Sequence, residues 1–217
     1  MILVPVKKLV TAKQRLASLL SQSVRTELAQ AMLLDVLEVL AAWPNRPEVS
    51  IVTSDPFAVD LAQHFDFEVI ADTANRSETD AIETATRMCE LRGIDNTLVI
   101  PADIPLIQTW ELEKILEVAP EQGSVLAPAA DGRGTNAAFR RPAGLFPLRF
   151  GNDSFKPHLA AARATGKPCK VLSLPGIALD VDNPSDLHQL TESPGETRSQ
   201  RLARQWDLSD LSLAANE

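Results

Sequence analysis

Cysteine is scarce in this chain of 217 residues, and Cys89 and Cys169 are isolated, with no CxxC pair. This spacing does not indicate a structural zinc site, and it fits an intracellular, reducing compartment. No stretch approaches the roughly 18 apolar residues that indicate a membrane-spanning helix. The N-terminus places its lysines after a very short apolar run, which is the wrong order for a secretory signal. We therefore expect a soluble, cytoplasmic protein.

The common phosphate-binding motifs are also missing. There is no GxxxxGK[ST] sequence and no GxGxxG sequence after the first predicted strand, which disfavours a P-loop kinase and a standard dinucleotide dehydrogenase. The three histidines support no Ser-His-Asp or Cys-His arrangement, and packing is the expected role of His158, which lies on a predicted helix four residues after Ser154. The formal net charge of −8 argues against broad nucleic-acid binding. An anionic ligand would need a local group of cations or a bound metal.

What the sequence does contain is a regular alternation of apolar, β-branched runs with segments of helical period. This alternation predicts an α/β, Rossmann-like fold, with a mainly parallel mixed sheet covered by helices on both faces. One domain is expected at 1–190, followed by a polar linker and a C-terminal helix or tail at 191–217, the helix at 201–211. The predicted strands are 2–6, 49–53, 68–71, 97–101, 125–128, 137–140, 171–174 and 178–181. The predicted helices are 23–42, 56–64, 79–91, 109–119, 154–165 and one that opens at 183–185.

Aspartates follow two of the predicted strands, where ligands gather in sheets of this kind. Asp103 comes after a buried strand and lies between two prolines, and Asp180 and Asp182 are two residues apart. On an extended strand the latter two would project to the same face. Together the three carboxylates would suit Mg²⁺, which prefers oxygen ligands. The alternatives are an Asx-type turn or helix start for Asp103 and a strand end followed by a cap for the other two.

Basic and polar side chains lie beyond other strand ends. Lys13 and Arg15 follow the first strand, where they could clamp a triphosphate, although an ordinary solvated basic loop is the simpler interpretation of their charge. In the loop at 131–136, glycines would let backbone N–H groups approach an anion, and Thr135 and Asn136 would add donors. Ser154 is placed to cap the following helix, where a phosphate or carboxylate could bind. The alternative for both loops is a hairpin turn and a simple N-cap.

In this order the motifs resemble those of one family, the CofC/FbiD guanylyltransferases of coenzyme F420 biosynthesis. The likeness runs from residue 1 to about residue 190, and the combination is specific although each motif alone is weak. The segments that carry it are PVK at 5–7, AKQRL at 12–16, TSD at 53–55, PADIPL at 101–106, GTN at 134–136, FGxxSFxxHL at 150–159 and LDVD at 179–182.

The resemblance implies a GT-A-type nucleotidyltransferase domain and a GTP-dependent reaction on 2-phospho-L-lactate, phosphoenolpyruvate or 3-phospho-D-glycerate. It makes three aspartates the catalytic Mg²⁺ ligands, two basic residues the nucleotide-binding pair, and three further residues the acceptor-binding set. The Mg²⁺ ligands are Asp103, Asp180 and Asp182, the nucleotide-binding pair is Lys13 and Arg15, and the acceptor-binding set is Thr135, Gly151 and Ser154. The expected partners are GTP and a small phosphorylated acid. The downstream transferase of the coenzyme F420 pathway and a second copy of the chain are candidate protein partners, and no nucleic acid or membrane is expected.

The sequence departs from the family pattern at two positions. Thr79 takes the place of an asparagine, and Asp153 takes the place of a glycine that many relatives carry before Ser154. Two rival functions remain at this point: another GT-A-like transferase, of the molybdopterin-guanylyl or sugar-phosphate type, and a nucleotide-binding regulator without catalysis. The absence of glycine from residues 8–12 speaks against the first rival. The presence of all three aspartates speaks against the second.

Overall fold

A seven-stranded sheet forms the centre of the computed structural model, which describes residues 1–73, 76–151 and 153–206. The strands are β1 (Ile2–Val6), β2 (Val49–Thr53), β3 (Glu68–Ala71), β4 (Thr97–Val99), β5 (Gly123–Pro128), β6 (Thr135–Arg141) and β7 (Cys169–Val171). Their order across the sheet is β3-β2-β1-β4-β6-β5-β7. The α-helices are α1 (Gln22–Ala42), α2 (Pro56–His64), α3 (Glu78–Leu91), α4 (Thr109–Val118), α5 (Phe155–Ala164), α6 (Pro175–Ala178), α7 (Pro184–Glu192) and α8 (Arg198–Ala203).

Helices cover both faces of this sheet, as the sequence predicts. In β1, Ile2, Val4 and Val6 lie in the apolar cluster formed with α1, α2 and α4. Leu3, between them, lies in the opposite cluster with α3 and α5. Successive side chains of a strand point to opposite faces, so an uninterrupted apolar run is what a strand buried on both sides requires.

The direction of β6 determines what meets at one edge of the sheet. Strands β3, β2, β1 and β4 are parallel to one another, whereas β6 runs antiparallel to both β4 and β5. The residues that follow β1 and β4 therefore lie at the same edge as Thr135, the first residue of β6. The predicted mixed edge is confirmed, and it brings the loops with the candidate residues together.

One predicted strand is wrong and another is shifted. Residues 178–181 are not a strand; the helical turn α6 is followed by an irregular segment outside the sheet. The cause is a distant partner, Glu111, whose buried carboxylate accepts hydrogen bonds from the backbone N–H of Gly176 at 2.7 Å and of Ile177 at 3.4 Å. Pro175 begins the turn, a position at which proline is favoured because no donor is needed there. The strand expected at 171–174 lies earlier, at Cys169–Val171.

The segment after α7 packs against α1. The buried carboxylate of Asp35 on α1 accepts from the backbone N–H groups of Arg198 and Ser199, at 2.8 and 3.0 Å, and from the Ser199 hydroxyl at 2.6 Å. A third apolar cluster joins α1, α7 and α8 to Leu179 and Val181, which flank Asp180. A helix is present at Arg198–Ala203, while residues 207–211 of the predicted helix lie outside the described residues. In the part of the chain that the structure describes, no helix is long and apolar enough to cross a membrane.

Candidate active site

A pocket of about 460 Å³ opens at the edge of the sheet where β1 and β4 end and β6 begins. It brings together every site residue predicted from the sequence. Seven of them line it, namely Arg15, Asp103, Thr135, Gly151, Ser154, Asp180 and Asp182. The eighth, Lys13, contacts two of those aspartates.

The ammonium group of Lys13 lies between two aspartates from distant parts of the chain. Its Nζ is 2.6 Å from Oδ2 of Asp103 and 2.8 Å from Oδ1 of Asp182, and the lysine side chain is only 7% exposed. The backbone of Lys13 has φ 55° and ψ 43°, a left-handed conformation that is costly for a residue with a side chain. Such strain persists only where other contacts impose it. Lys13 is therefore an internal residue of the site and not part of a solvated basic loop.

Neither Asp103 nor Asp182 caps a helix, although a cap does follow Asp182, as the alternative interpretation expected. The start of α7 is capped by the Asn183 side chain, while Oδ2 of Asp186 accepts from the backbone N–H of Asp182 at 2.9 Å and of Asn183 at 3.0 Å. The α4 helix begins with a capping box at Gln108. The segment with Asp182 is held beside Asp103 by a backbone hydrogen bond of 3.1 Å, from Val181 N–H to the Asp103 carbonyl. Both carboxylates are thus left to face the pocket and Lys13.

Asp180 is held by the side-chain amide of Asn136. The Nδ2 group of Asn136 donates to Oδ1 of Asp180 at 2.9 Å and to the carbonyls of Ile177 and Ala178 at 2.9 and 3.2 Å. The expectation that Asn136 donates to a bound anion is therefore wrong, because its amide hydrogens bind the chain itself. Burial raises the pKa of Asp180 to about 6; the bond from Asn136 opposes this rise, and Asp103 and Asp182 add to it.

Negative charge accumulates around these aspartates. Burial raises the pKa of Glu78, at the start of α3, to about 7, and the charges of Asp103 and Asp182 raise it further, against the effect of Lys13. Burial would also raise the pKa of Asp182, but Lys13 and then Arg15 hold it below its ordinary value. For Lys13, burial lowers the pKa, and the two aspartates outweigh it and raise the pKa above its ordinary value. Glu78 was missed in the sequence, where it reads as an acidic residue in a first helical turn.

The other part of the pocket carries hydroxyl groups. Thr135 and Ser154 are both buried, and their side-chain oxygens are 3.4 Å apart. The expected N-cap role of Ser154 is wrong: the residue has a helical backbone, with φ −68° and ψ −23°, and its side chain makes no capping bond. An N-cap serine needs an extended backbone to reach the free N–H groups of the first turn. Its hydroxyl points to Thr135 instead.

The two departures from the family pattern have partners in this structure. The Thr79 hydroxyl accepts from the backbone N–H of Phe150 at 3.0 Å and so holds the backbone next to Gly151. Asp153 accepts from Nε and Nη2 of Arg133 at 2.6 and 3.3 Å, and this bond lowers the pKa of its carboxyl. Asp153 has a left-handed backbone, with φ 57°, which suits the glycine of relatives. Its charge beside the pocket is therefore compensated.

The arrangement of carboxylates is not a ready metal cage. Among the described residues, no group of three or more histidine, cysteine, aspartate or glutamate side chains is arranged so that it could hold a metal ion. Lys13 accounts for part of this, because its ammonium group engages both Asp103 and Asp182.

Comparison with known proteins assigns the chain to a family. A model of the family described as "Guanylyl transferase CofC like" matches residues 1–209. The chain belongs to this family. A phosphoenolpyruvate guanylyltransferase of Sphaerobacter thermophilus is 34% identical over 197 residues, covering 86% of this chain and 90% of the relative. A 2-phospho-L-lactate guanylyltransferase of Methanothermobacter thermautotrophicus is 33% identical over 188 residues, covering 87% and 82%.

Two further comparisons agree with the enzyme class and the fold. A 3-phospho-D-glycerate guanylyltransferase of Colwellia psychrerythraea is 32% identical over 189 residues, covering 87% of this chain and 90% of the relative. A crystal structure of a putative nucleotide-diphospho-sugar transferase from Desulfovibrio desulfuricans superposes with a TM-score of 0.77 at 19% identity, covering 98% and 96% of the two chains. This member of the CofC-like family is thus a nucleotidyltransferase of the guanylyltransferase class, with the fold expected from its sequence.

Proposed function

We propose that the protein transfers GMP from GTP to the phosphate of a small phosphorylated acid and releases pyrophosphate. The observation that carries this proposal is a single pocket in which the carboxylates around Lys13 meet the Thr135 and Ser154 hydroxyls. One reactant is a polyanion that needs cations, and the other is an acid that needs hydrogen-bond donors. A pocket with both kinds of group suits a reaction that joins two such molecules.

In the proposed reaction, an oxygen of the acceptor's phosphate attacks the α-phosphorus of GTP in line. A phosphoanhydride bond forms, and the bond from the α-phosphorus to the oxygen that bridges to the β-phosphorus breaks, so that pyrophosphate leaves with the electron pair. A phosphomonoester has its second pKa near 6 and is largely ionised at neutral pH. No general base is then required, and the task of the protein is to bring two polyanions together.

Lys13 and Arg15 are the proposed contacts of the triphosphate. Arg15 lines the pocket, with Nη1 3.7 Å from Oδ2 of Asp182, and it retains 58% exposure of its side chain. Lys13 is bound to Asp103 and Asp182 and would contribute its charge from beneath the nucleotide. Fixed cations at this place would offset the repulsion between the reactants and the charge that develops on pyrophosphate.

Asp103, Asp180 and Asp182 are the proposed ligands of Mg²⁺. Their donor chemistry fits, because all three present carboxylate oxygens to one pocket. The pKa of Asp180 is raised to about 6 first by burial and then by the charges of Asp103 and Asp182, and a bound cation would offset both effects. When bound, Mg²⁺ would neutralise phosphate charge and polarise the α-phosphoryl group. The fit requires Lys13 to release at least one carboxylate, since its ammonium group now engages Asp103 and Asp182.

The acceptor is proposed to bind near Thr135, Gly151 and Ser154. Hydroxyl and backbone donors suit phosphate and carboxylate oxygens, which only accept hydrogen bonds. Phosphoenolpyruvate, 2-phospho-L-lactate and 3-phospho-D-glycerate all carry both groups, and relatives named for each of them are similarly close to this chain. The product would be an activated acid for the downstream transferase of coenzyme F420 biosynthesis.

The test is an assay of pyrophosphate release by the purified protein with GTP and each of the three acids, with mass-spectrometric detection of the guanylylated product. We expect release that depends on GTP and on one or more of the acids, with ATP, CTP and UTP as nucleotide controls. Turnover with a sugar phosphate or molybdopterin and none of the acids would assign the protein to another transferase type. Tight GTP binding without turnover on any acceptor would indicate a regulator.

A further inference from the structure

His158 lies behind the hydroxyl side of the pocket, and both of its ring nitrogens are engaged. The residue is 1% exposed, on the first turns of α5. Its Nε2 is 2.7 Å from the backbone nitrogen of Arg149, and its Nδ1 is 2.9 Å from Oγ1 of Thr135. The ring also packs edge-on against Phe150, with centroids 5.3 Å apart. Packing alone, the role expected from the sequence, does not account for two hydrogen bonds.

These contacts determine which ring nitrogen carries the proton. A backbone N–H can only donate, so Nε2 must present its lone pair to Arg149. In a neutral imidazole the proton is then on Nδ1, and Nδ1–H donates to Thr135 Oγ1. Burial, and after it the charge of Arg140, lowers the pKa of His158 to about 4, so the ring is neutral at physiological pH. The Nδ1–H tautomer is thus imposed by a fixed backbone group.

The tautomer in turn determines which hydrogen bonds the Thr135 hydroxyl accepts and which it can donate. That oxygen accepts from His158, and Ser154 Oγ lies 3.4 Å away as a second donor to it. A hydroxyl has one hydrogen to donate, and neither contact uses it. Thr135 lines the pocket, so its hydrogen is available to an acceptor that enters the pocket.

We propose that His158 is a positioning residue that fixes the Thr135 hydroxyl as a hydrogen-bond donor toward the anionic group of the acceptor acid. The inference rests on the proposed function for the identity of the ligand. The proposal predicts that the pocket binds a phosphate or carboxylate oxygen, which only accepts hydrogen bonds, better than a group that must donate a hydrogen bond. His158 contacts no reactant and acts through Thr135.

The kinetic test is a double-mutant cycle on the full-length protein, with acceptor and GTP constants measured separately. His158→Phe keeps a ring against Phe150 and removes both hydrogen bonds, and Thr135→Val removes the hydroxyl. We expect His158→Phe to raise the acceptor KM about tenfold or more, with the GTP KM within about twofold. In the Thr135→Val background the same substitution should change the acceptor KM less than twofold, because the hydroxyl it positions is absent.

His158→Asn is the conservative variant, since its side-chain amide can place an N–H near the position of Nδ1. The acceptor KM of His158→Asn should therefore stay within about threefold of the wild-type value. An equal effect of His158→Phe in both Thr135 backgrounds would overturn the proposal, because it would show that His158 acts on the fold as a whole. An acceptor KM of His158→Asn as high as that of His158→Phe would also count against the proposal.

A second measurement does not depend on catalysis. Nitrogen-15 NMR of the wild-type imidazoles distinguishes the two tautomers, and the exposed His64 and His188 can be assigned through His64→Gln and His188→Gln. We expect His158 to be a neutral Nδ1–H tautomer that does not change between pH 6 and pH 8. A proton on Nε2, or a charge change in that range, would overturn the proposal whether or not guanylyl transfer is observed. Conversely, no turnover with any acid, together with the Nδ1–H signal, would count against the proposed function and leave the positioning of Thr135 standing.

Discussion

Replacement of Glu78 by glutamine is expected to stabilise the substrate-free protein, and to do so more at pH 8 than at pH 5. The pKa of Glu78 is raised to about 7 by burial and by the charges of Asp103 and Asp182. A carboxyl whose pKa is raised by folding is less stable in its ionised form in the folded protein than in the unfolded chain. Its ionisation therefore lowers the free energy of unfolding, and this loss reaches its full size above about pH 7. The loss declines as the pH falls from about 7 toward the ordinary value of 4.5. Glutamine has the same shape without the charge, and it removes the loss.

The size of the effect follows from the pKa. A rise from 4.5 to about 7 corresponds to at most about 3.4 kcal/mol. Glu78 is half-buried, so we take about half of this, roughly 1.5–2 kcal/mol at pH 8, and roughly 0.5 kcal/mol at pH 5. The assay is urea unfolding of both proteins in the presence of a chelator. Glu113→Gln, at an exposed position of α4, is the control, and it should change the free energy of unfolding by less than about 0.5 kcal/mol at either pH.

The comparison between the two pH values decides whether the reasoning is correct. A difference in unfolding free energy that is the same at pH 5 and pH 8 would show that the pKa of Glu78 is not raised in the folded protein. A wild type that is more stable than Glu78→Gln at pH 8 would contradict the burial argument itself. Added Mg²⁺ should reduce the difference at pH 8, because a bound cation lowers the pKa of a neighbouring carboxyl.

Three other substitutions test separate parts of the site, and a fourth tests the contact between α1 and α8. Asp103→Asn should slow GTP-dependent pyrophosphate release about 10³-fold, a loss of about 4 kcal/mol in transition-state stabilisation, while circular dichroism shows a folded protein. Lys13→Ala should raise the KM for GTP more than that for the acceptor; the reverse would exchange the two subsites. Ser154→Ala should raise the acceptor KM but change the unfolding free energy by less than about 1 kcal/mol, since no cap is lost. Asp35→Ala should cost about 2–3 kcal/mol in urea unfolding by removing three hydrogen bonds to a buried carboxylate, whereas Glu38→Ala, which breaks an exposed ion pair, should cost less than about 1 kcal/mol.

Three strands of the parallel half, β1, β2 and β4, were predictable because each is buried on both faces. An uninterrupted apolar run such as 2–6 is typical of that environment, and in 49–53 the β-branched residues give the same indication although Ser50 and Thr53 interrupt the apolar run. The position of Asp103 after such a run also placed it at the ligand-binding edge. These features could be predicted because the local residue pattern alone determines whether a strand is buried and which residue follows its end.

The features that the sequence did not reveal depend on partners far along the chain. The turn at Pro175–Ala178 replaces a predicted strand because Glu111, more than sixty residues earlier, binds its N–H groups. Ser154 is not a cap because its backbone is helical, and its hydroxyl donates to Thr135 instead. His158 belongs to the motif at 150–159, but its role was not predictable because that role depends on where Thr135 and the Arg149 backbone lie. Residue type and spacing do not reveal such contacts between residues that are distant in the sequence.

The ion pairs of Lys13 join segments that are 90 and 169 residues apart. On the ribosome, Lys13 and Asp103 are synthesised well before Asp182, so a nascent chain holds the buried ammonium group with one carboxylate at most. Closing the longer loop also costs more chain entropy than closing the shorter one. The left-handed backbone at Lys13 is therefore fully supported only when the segment before α7 has been added. A partly synthesised chain can have most of its sheet and still lack the charge arrangement on which nucleotide chemistry would depend.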